Sequence, residues 1–398
     1  MVLENVPRRL SAGVGNSNDQ TRRHNLSTIL TLLHHNGAQT RAQLTGLTVL
    51  NRSTIGALVA ELSDRGLAYE TEPFDSGRVG RPSPVVHANE DVVAITVNPD
   101  VDAITIGVVG LGGALHRLER HELSAVPTVA DAVALVGSVV GAFRTELGAS
   151  VRIVGVGIAV PGLVNSREGV VALAPHLGWH DEPLVEPFAD ALGLPVRVGN
   201  DAALATIAES LFGAGRGVTD LVYLNGSASG IGGGVLSGGV MLRGTQGYAA
   251  ELGHTLVNSS GIQCHCGKRG CLETEVNLGR LLAVVGRETS GPDEIDALIA
   301  GVPDARREIE RQLDVLALAI GTFVSIFNPE SIVLGGFLGS LFEADPDRLR
   351  AAVDALSFTG LSHPVRLERA QLRSRLLTTG AAELVFADLL ADPAGTVF

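Results

Sequence analysis

Residues Glu251–Glu273 read ELGHTLVNSSGIQCHCGKRGCLE, and this stretch holds all three cysteines of the 398-residue chain. Cys264, Cys266 and Cys271 form a C-x-C-x4-C pattern, with His254 ten residues before the first. Three thiols cannot all pair as disulfides, whereas three thiolates joined by one imidazole make a donor set for tetrahedral zinc. Four protein ligands close the coordination shell, so His254, Cys264, Cys266 and Cys271 are expected to hold a structural Zn2+ rather than a catalytic one. Such an ion would fix the loop after His254 and leave one ring nitrogen of that histidine to a ligand. Glu251 and Glu273 flank the cluster; they are either ligand acceptors or ordinary surface charge.

Around this stretch the chain alternates strand-like and helix-like segments. From about Asp91, the apolar runs Val92–Val97, Ala103–Val109, Ile153–Ala159, Val196–Val198 and Leu221–Leu224 read as strands between helical stretches, which implies an α/β architecture. Leu313–Phe327, then Asn328-Pro329-Glu330 and Ser331–Leu334, predict a buried helix leading into a buried strand. Asn200-Asp201 follows the apolar run Leu194–Val198, at the carboxyl end of a strand, where α/β proteins place ligands. A carboxylate there can take a proton from a hydroxyl or accept a hydrogen bond from one. Gly230-Ile231-Gly232-Gly233-Gly234 is open to two readings: backbone N–H groups approaching a phosphate, or a tight turn between two buried strands.

Upstream the pattern is different. Residues 1–20 are polar and aperiodic and predict a flexible tail. Leu26, Ile29, Leu30 and Leu33 make one helical stripe that stops at Asn36-Gly37. Thr40 with Gln43 predicts a capping box for a second helix with Leu44 and Leu47 inward, and Asn51 caps a third, on which Ile55, Leu58, Val59 and Leu62 form the buried face. A helix-turn-helix puts the first turn of its second helix in the major groove, so Asn51, Arg52, Ser53 and Thr54 are candidate DNA-facing residues, beside Gly56 and Ala57. Arg22, Arg23 and Arg41 are candidate phosphate contacts. The segment LAYETEPFDSGRVGRPSPVVHAN reads as two short strands around a wing, where Arg78 and Arg81 either enter a minor groove or belong to a plain linker.

Net charge supports this division. The chain totals −13, yet residues 1–90 carry nine Arg against eight Asp and Glu, net +1, so the acidity lies downstream. At 45% hydrophobic residues the chain is no disordered polymer. Its longest uncharged stretch, Leu221–Leu242, is broken by many glycines and is no bilayer span, and residues 1–20 carry no secretory pattern. A cytoplasmic protein is expected.

The motifs resemble those of the ROK proteins (repressor, open reading frame, kinase), in the branch with an N-terminal winged helix. The resemblance covers about residues 22–390. It rests on Ala159-Val160-Pro161-Gly162, Asn200-Asp201, Gly230–Gly234, Glu251-Leu252-Gly253-His254, the cysteine motif through Glu273, and Asn328-Pro329-Glu330 through Gly335-Gly336. It implies an α/β fold of two actin-like, sugar-kinase-like lobes around a cleft. Domains are then expected at 1–20 (tail), 21–89 (winged helix-turn-helix) and 90–398 (ROK sugar-binding domain). Matching positions imply Gly162, Asn200, Asp201, Glu251, His254 and Glu273 as sugar contacts, Asp201 standing where a kinase keeps its base. They also imply His254, Cys264, Cys266 and Cys271 as zinc ligands.

Two departures are informative. Where kinases of the family open their first strand with Asp-x-Gly-Gly-Thr to hold ATP phosphates, this chain has Asn98-Pro99-Asp100-Val101-Asp102, and a family Gly-Thr-Gly appears as Ala228-Ser229-Gly230. Proline removes an N–H and the aspartates repel phosphate. Ala203 and His176 also replace asparagines of the family pattern. The expectation is therefore a sugar-responsive repressor, probing double-stranded operator DNA as a homodimer or dimer of dimers, that binds sugar without phosphorylating it. The alternative is an ATP-dependent sugar kinase with an added DNA-binding domain.

Overall fold

Helical periodicity and side-chain caps shape the first part of the chain. α1 (Asn18–Asn36) turns Leu26, Ile29, Leu30 and Leu33 onto Leu44 of α2 (Arg41–Thr48) and Ile55, Leu58, Val59 and Leu62 of α3 (Arg52–Asp64), all of them buried. The computed structural model describes residues 18–72, 83–146, 148, 150–287, 295–297, 305–357 and 364–395. At the head of α2, Thr40 Oγ1 accepts from Gln43 N at 3.1 Å and Gln43 Oε1 accepts from Thr40 N at 2.8 Å, the capping box expected from the sequence. Asn51 Oδ1 accepts from Thr54 N at 2.8 Å and starts α3. The strands β1 (Gln39–Thr40), β2 (Ala68–Thr71) and β3 (Val85–Ala88) pair antiparallel in the order β1-β3-β2.

Three expectations change here. α1 begins at Asn18, inside the stretch assigned to a tail. Leu47 is 56% exposed rather than inward: it lies about 60° around the helix from Leu44, on the last turn of an eight-residue helix, beyond the face that α3 covers. Among the described residues, 387–395 group with those of the first 92 rather than with the domain that precedes them. Arg23 meets Asp392 at 2.8 Å and Arg65 Nη1 donates to the Ala394 carbonyl at 2.9 Å.

The second unit, residues 93–386, contains two five-stranded sheets. β4 (Val92–Pro99), β5 (Ala103–Gly110) and β6 (Leu115–Glu122) form a meander. α4 (Val129–Glu146) precedes β7 (Arg152–Val160). A small antiparallel sheet of β8 (Leu163–Asn165), β9 (Val170–Ala174) and β10 (Trp179–Pro183) follows, then α5 (Val185–Leu192), β11 (Val196–Asn200) and α6 (Asp201–Phe212). The first large sheet runs β11-β7-β4-β5-β6. β6, at the edge of the sheet, alternates half-buried and exposed residues and carries charges on both faces, the pattern of a protected edge.

The second large sheet runs β14-β13-β12-β15-β16, from β12 (Leu221–Ser227), β13 (Gly230–Ser237), β14 (Val240–Met241), β15 (Ser331–Gly336) and β16 (Arg366–Arg369). Between its strands lie α7 (Leu272–Glu275), α8 (Leu278–Val284), α9 (Ala305–Phe327), α10 (Phe337–Ala344) and α11 (Pro346–Leu356), and α12 (Leu376–Ala391) follows. α9 and β15 are the helix and strand expected from Leu313–Phe327 and Ser331–Leu334.

The Gly230–Gly234 run belongs to a hairpin between two strands. Gly230, at φ 146°, closes the β12–β13 hairpin, and the rest of the run is strand. The glycines admit close neighbours: a Cβ on Gly232 would come within 2.7 Å of Ala202 Cβ, and one on Gly234 would strike Thr206, so α6 lies tight on β13. Asn98-Pro99 likewise ends β4, and Asp100–Asp102 is the hairpin into β5 rather than the opening of a strand.

Candidate functional site

β11 and β7 run parallel, with Asn200 opposite Val160, so the Pro161-Gly162 turn and the start of α6 leave the sheet side by side at its carboxyl end. Asn200 caps α6 through Oδ1 to Ala203 N at 2.8 Å, and its Nδ2 donates to the Gly162 carbonyl at 2.8 Å. Its amide thus ties the turn to the helix. Asp201 Oδ1 accepts from Ala202 N at 2.7 Å. Desolvation pushes the Asp201 carboxyl up to about 6, with the charges of Glu251 and Asp100 acting in the same direction.

From the other sheet, the hairpin residues Ser227–Gly233, the turn Glu251–His254 and α7 close a cavity of about 120 Å³. Gly162, Asn200, Asp201, Glu251, His254 and Glu273, the six residues singled out for sugar, all line it. Burial of its carboxyl and the charge of Glu273 both raise Glu251. Several carboxylates beside imidazoles make a cavity suited to a neutral ligand with many hydroxyls.

His254 Nδ1 lies 3.6 Å from Cys264 Sγ, and Cys266 Sγ lies 3.6 Å from Cys271 Sγ. One ligand atom from each of the four residues falls within 4.8 Å of the others. A tetrahedral ion with metal–sulfur bonds of about 2.3 Å separates its sulfurs by about 3.8 Å, so the donor set fits a metal ion. Burial raises the thiols of Cys264 and Cys271, with the Lys268 ammonium pulling Cys271 the other way. Burial lowers His254, favouring the neutral imidazole that ligates metals.

Two histidines of the cavity are not among the contacts singled out from the sequence. His265, between the first two cysteines, places Nδ1 3.2 Å from Glu273 Oε1, and His176 meets its ring edge-on at 6.4 Å. The sequence marks His176 only as a replaced asparagine. For His265 no spacing rule marks a residue inside a metal knuckle as facing a cavity.

The DNA-facing candidates divide into three groups. Arg52, Ser53 and Thr54 stand on the first turn of α3, where Ser53 Oγ bonds the capping Asn51 at 2.7 Å. Among the described residues Arg52 has no ionic partner. The arginines proposed for phosphate are engaged within the chain: Arg22 with Glu61 and Asp19, Arg23 with Asp392, and Arg41 in a fork to Glu70 at 2.5 Å. Arg78 and Arg81 lie outside the described residues.

Residues 97–388 match the ROK family. The chain is 28% identical over 391 residues to the xylose repressor of Caldicellulosiruptor bescii, covering 92% of this chain and 96% of that one. It is 32% identical over 319 residues to the glucokinase of Streptomyces coelicolor, covering 73% of this chain and 98% of that one. Among solved structures, a ROK-family transcriptional regulator described as a homologue of the E. coli Mlc protein superposes with a TM-score of 0.76 at 26% identity, over 93% of this chain and 97% of that one.

Proposed function

The chain belongs to the ROK family, and from that premise we propose a sugar-responsive transcriptional repressor of carbohydrate genes that binds its effector in the Asp201–Glu273 cavity and its operator through α3. The observation that carries this is the presence, in one chain, of a capped helix-turn-helix with a three-stranded sheet and a cavity lined by Asp201, Glu251, His254 and Glu273. Relatives over the whole length are named repressors, while the glucokinases match only part of the chain. Operator binding places the protein in the cytoplasm, and no helix among the described residues is long and apolar enough to cross a membrane.

His254, Cys264, Cys266 and Cys271 would hold zinc, which ties the cysteine loop to the turn that carries Glu251 and His254. Asp201, Glu251 and Glu273 accept hydrogen bonds from sugar hydroxyls, Asn200 holds the Gly162 turn in place, and His254 offers Nε2. Sugar that prefers one geometry of this cavity shifts the population of chain conformations, and in a dimer the spacing of two reading helices. A coupling of about 1–3 kcal/mol changes operator affinity roughly 5–150-fold.

Phosphoryl transfer is disfavoured at the Asn98–Asp102 hairpin. Pro99 offers no N–H there, and the charge of Asp100 already acts on Asp201, so an ATP phosphate would enter a negative field. A kinase reading keeps one support, Asp201, whose raised carboxyl suits a general base.

The test is binding of the purified protein to DNA flanking its own gene across a salt series, with and without xylose, glucose and N-acetylglucosamine. Sequence-selective binding that one sugar alters is expected. Binding that is absent, or indifferent to sequence, defeats the repressor reading. ADP release at ordinary kinase rates with any of these sugars defeats the non-enzymic one.

A further inference from the structure

The small cavity has a neighbour. A second cavity of about 460 Å³ shares Gly162, Asn200, Gly233 and Glu251 with it, and lies wholly within residues 93–386. The first, at about 120 Å³, falls below the roughly 300–1,000 Å³ of ordinary ligand sites, whereas the second falls within that range. The second is lined by the strands β8 and β9, by Ala203 of α6 and by the segment Met241–Ala250. Ala203 presents only a methyl group to it, at the position where the family pattern has the longer asparagine.

The chemistry of this lining suits carbohydrate. Tyr248 is half-buried and offers an aromatic face, and Gln246 and Arg243 carry donors that have no hydrogen-bond or ionic partner among the described residues. Asn165 presents an amide from the opposite wall, its Oδ1 accepting from Arg167 N at 3.2 Å and Glu168 N at 3.3 Å and its amino group directed to no described residue. A wall of mixed polar groups around one aromatic ring differs from the carboxylate cluster next door, and it continues from that cluster at Glu251.

We propose that the two cavities form one elongated site, and that the effector is an oligosaccharide of at least two rings. Its terminal ring is held by Asp201, Glu251, His254 and Glu273, and its next ring lies past Ala203 against Tyr248. The proposal rests on the sugar-site reading above and extends it to the class of ligand.

Calorimetry on the full-length protein tests it with matched pairs: xylose and xylobiose, glucose with cellobiose and maltose, N-acetylglucosamine and chitobiose. In at least one pair the disaccharide should bind tenfold or more tighter than its monomer. Tyr248→Ala should remove that advantage while leaving monomer affinity within twofold. Thr245→Trp, on the exposed rim of the second cavity only, should do the same by filling it, and guards against a folding defect in the first variant. Equal affinities for monomer and dimer in every pair, or an advantage that survives both variants, overturns the second subsite and leaves the sugar reading standing. Absence of heat with every sugar of either length overturns both.

Discussion

Glu273 Oε1 lies 3.4 Å from His254 Nδ1 and 3.1 Å from Cys264 Sγ, so the acid at the cavity floor and the metal-ligand cluster share one imidazole. On the proposed function, ligand recognition and metal retention would draw on the same few side chains. With the ion bound, Nδ1 is committed to it, and the ring is oriented for whatever Nε2 contacts.

Cys266→Ser removes one donor from the cluster while changing an exposed residue. The variant should lose its metal on dialysis against a chelator that leaves the wild type loaded. Its sugar affinity should fall at least tenfold, since Glu251 and His254 sit on the turn that the ion anchors. Metal analysis with calorimetry on the same sample checks it, and an unchanged sugar affinity in metal-free protein would contradict the coupling.

Asp201 carries a pH signature. Burial pushes its carboxyl from the ordinary 3.8 up to about 6, so the native state holds the proton more tightly than the unfolded one. Its ionisation costs stability above pH 6, the cost shrinks as the pH falls towards 4, and it vanishes below the unfolded value. Asp201→Asn should therefore stabilise the sugar-free protein at pH 7 by up to about 3 kcal/mol, and at pH 4 by only about 0.6 kcal/mol. Sugar affinity should fall at least tenfold in the same variant. Denaturant titrations at the two pH values read the difference, and a gain larger at pH 4 than at pH 7 would reverse the assignment.

Arg52 is the cation on the first turn of α3 without an intramolecular partner among the described residues, whereas Arg22 braces α1 against Glu61 of α3. Arg52→Ala should weaken operator binding by about 1–3 kcal/mol if it reads a base, or lower the salt slope by about one if it meets a phosphate. The thermal midpoint should stay within a degree or two. Fluorescence anisotropy across a salt series separates the two cases, and unchanged binding removes Arg52 from the interface.

Leu44 and Leu47 provide a stability contrast on one short helix. Leu44 is fully buried and Leu47 is 56% exposed. Leu44→Ala should cost about 2–5 kcal/mol, and Leu47→Ala should remain within about 0.5 kcal/mol. Chemical denaturation of the two variants measures this directly, and equal losses would put Leu47 back in the core.

Much of the site was legible because its determinants are close in sequence. The capping box at Thr40 and Gln43 and the cap at Asn51 each close over three residues. The cysteine knuckle is almost as local. Asn200-Asp201 could be placed because an apolar run ending in polar residues marks the carboxyl end of a strand. What failed to read was long-range: Arg41 is held by Glu70, Arg22 by Glu61, and the Gly230–Gly234 run is a strand whose missing side chains make room for α6. A glycine that admits a neighbouring helix and one that admits a phosphate look alike in a sequence.

The sequence carried the winged-helix elements, the α/β alternation and the His/Cys cluster that could hold a metal, because caps, periodicity and close spacing act within a few residues, where chain connectivity limits the outcomes. Tertiary structure alone decided that Asp100 lies near enough to Asp201 to raise it, that His265 enters the cavity, and that a second, larger cavity adjoins the first at Glu251. These depend on the register of two sheets and on how closely α6 approaches β13, distances set by packing between segments far apart in the chain.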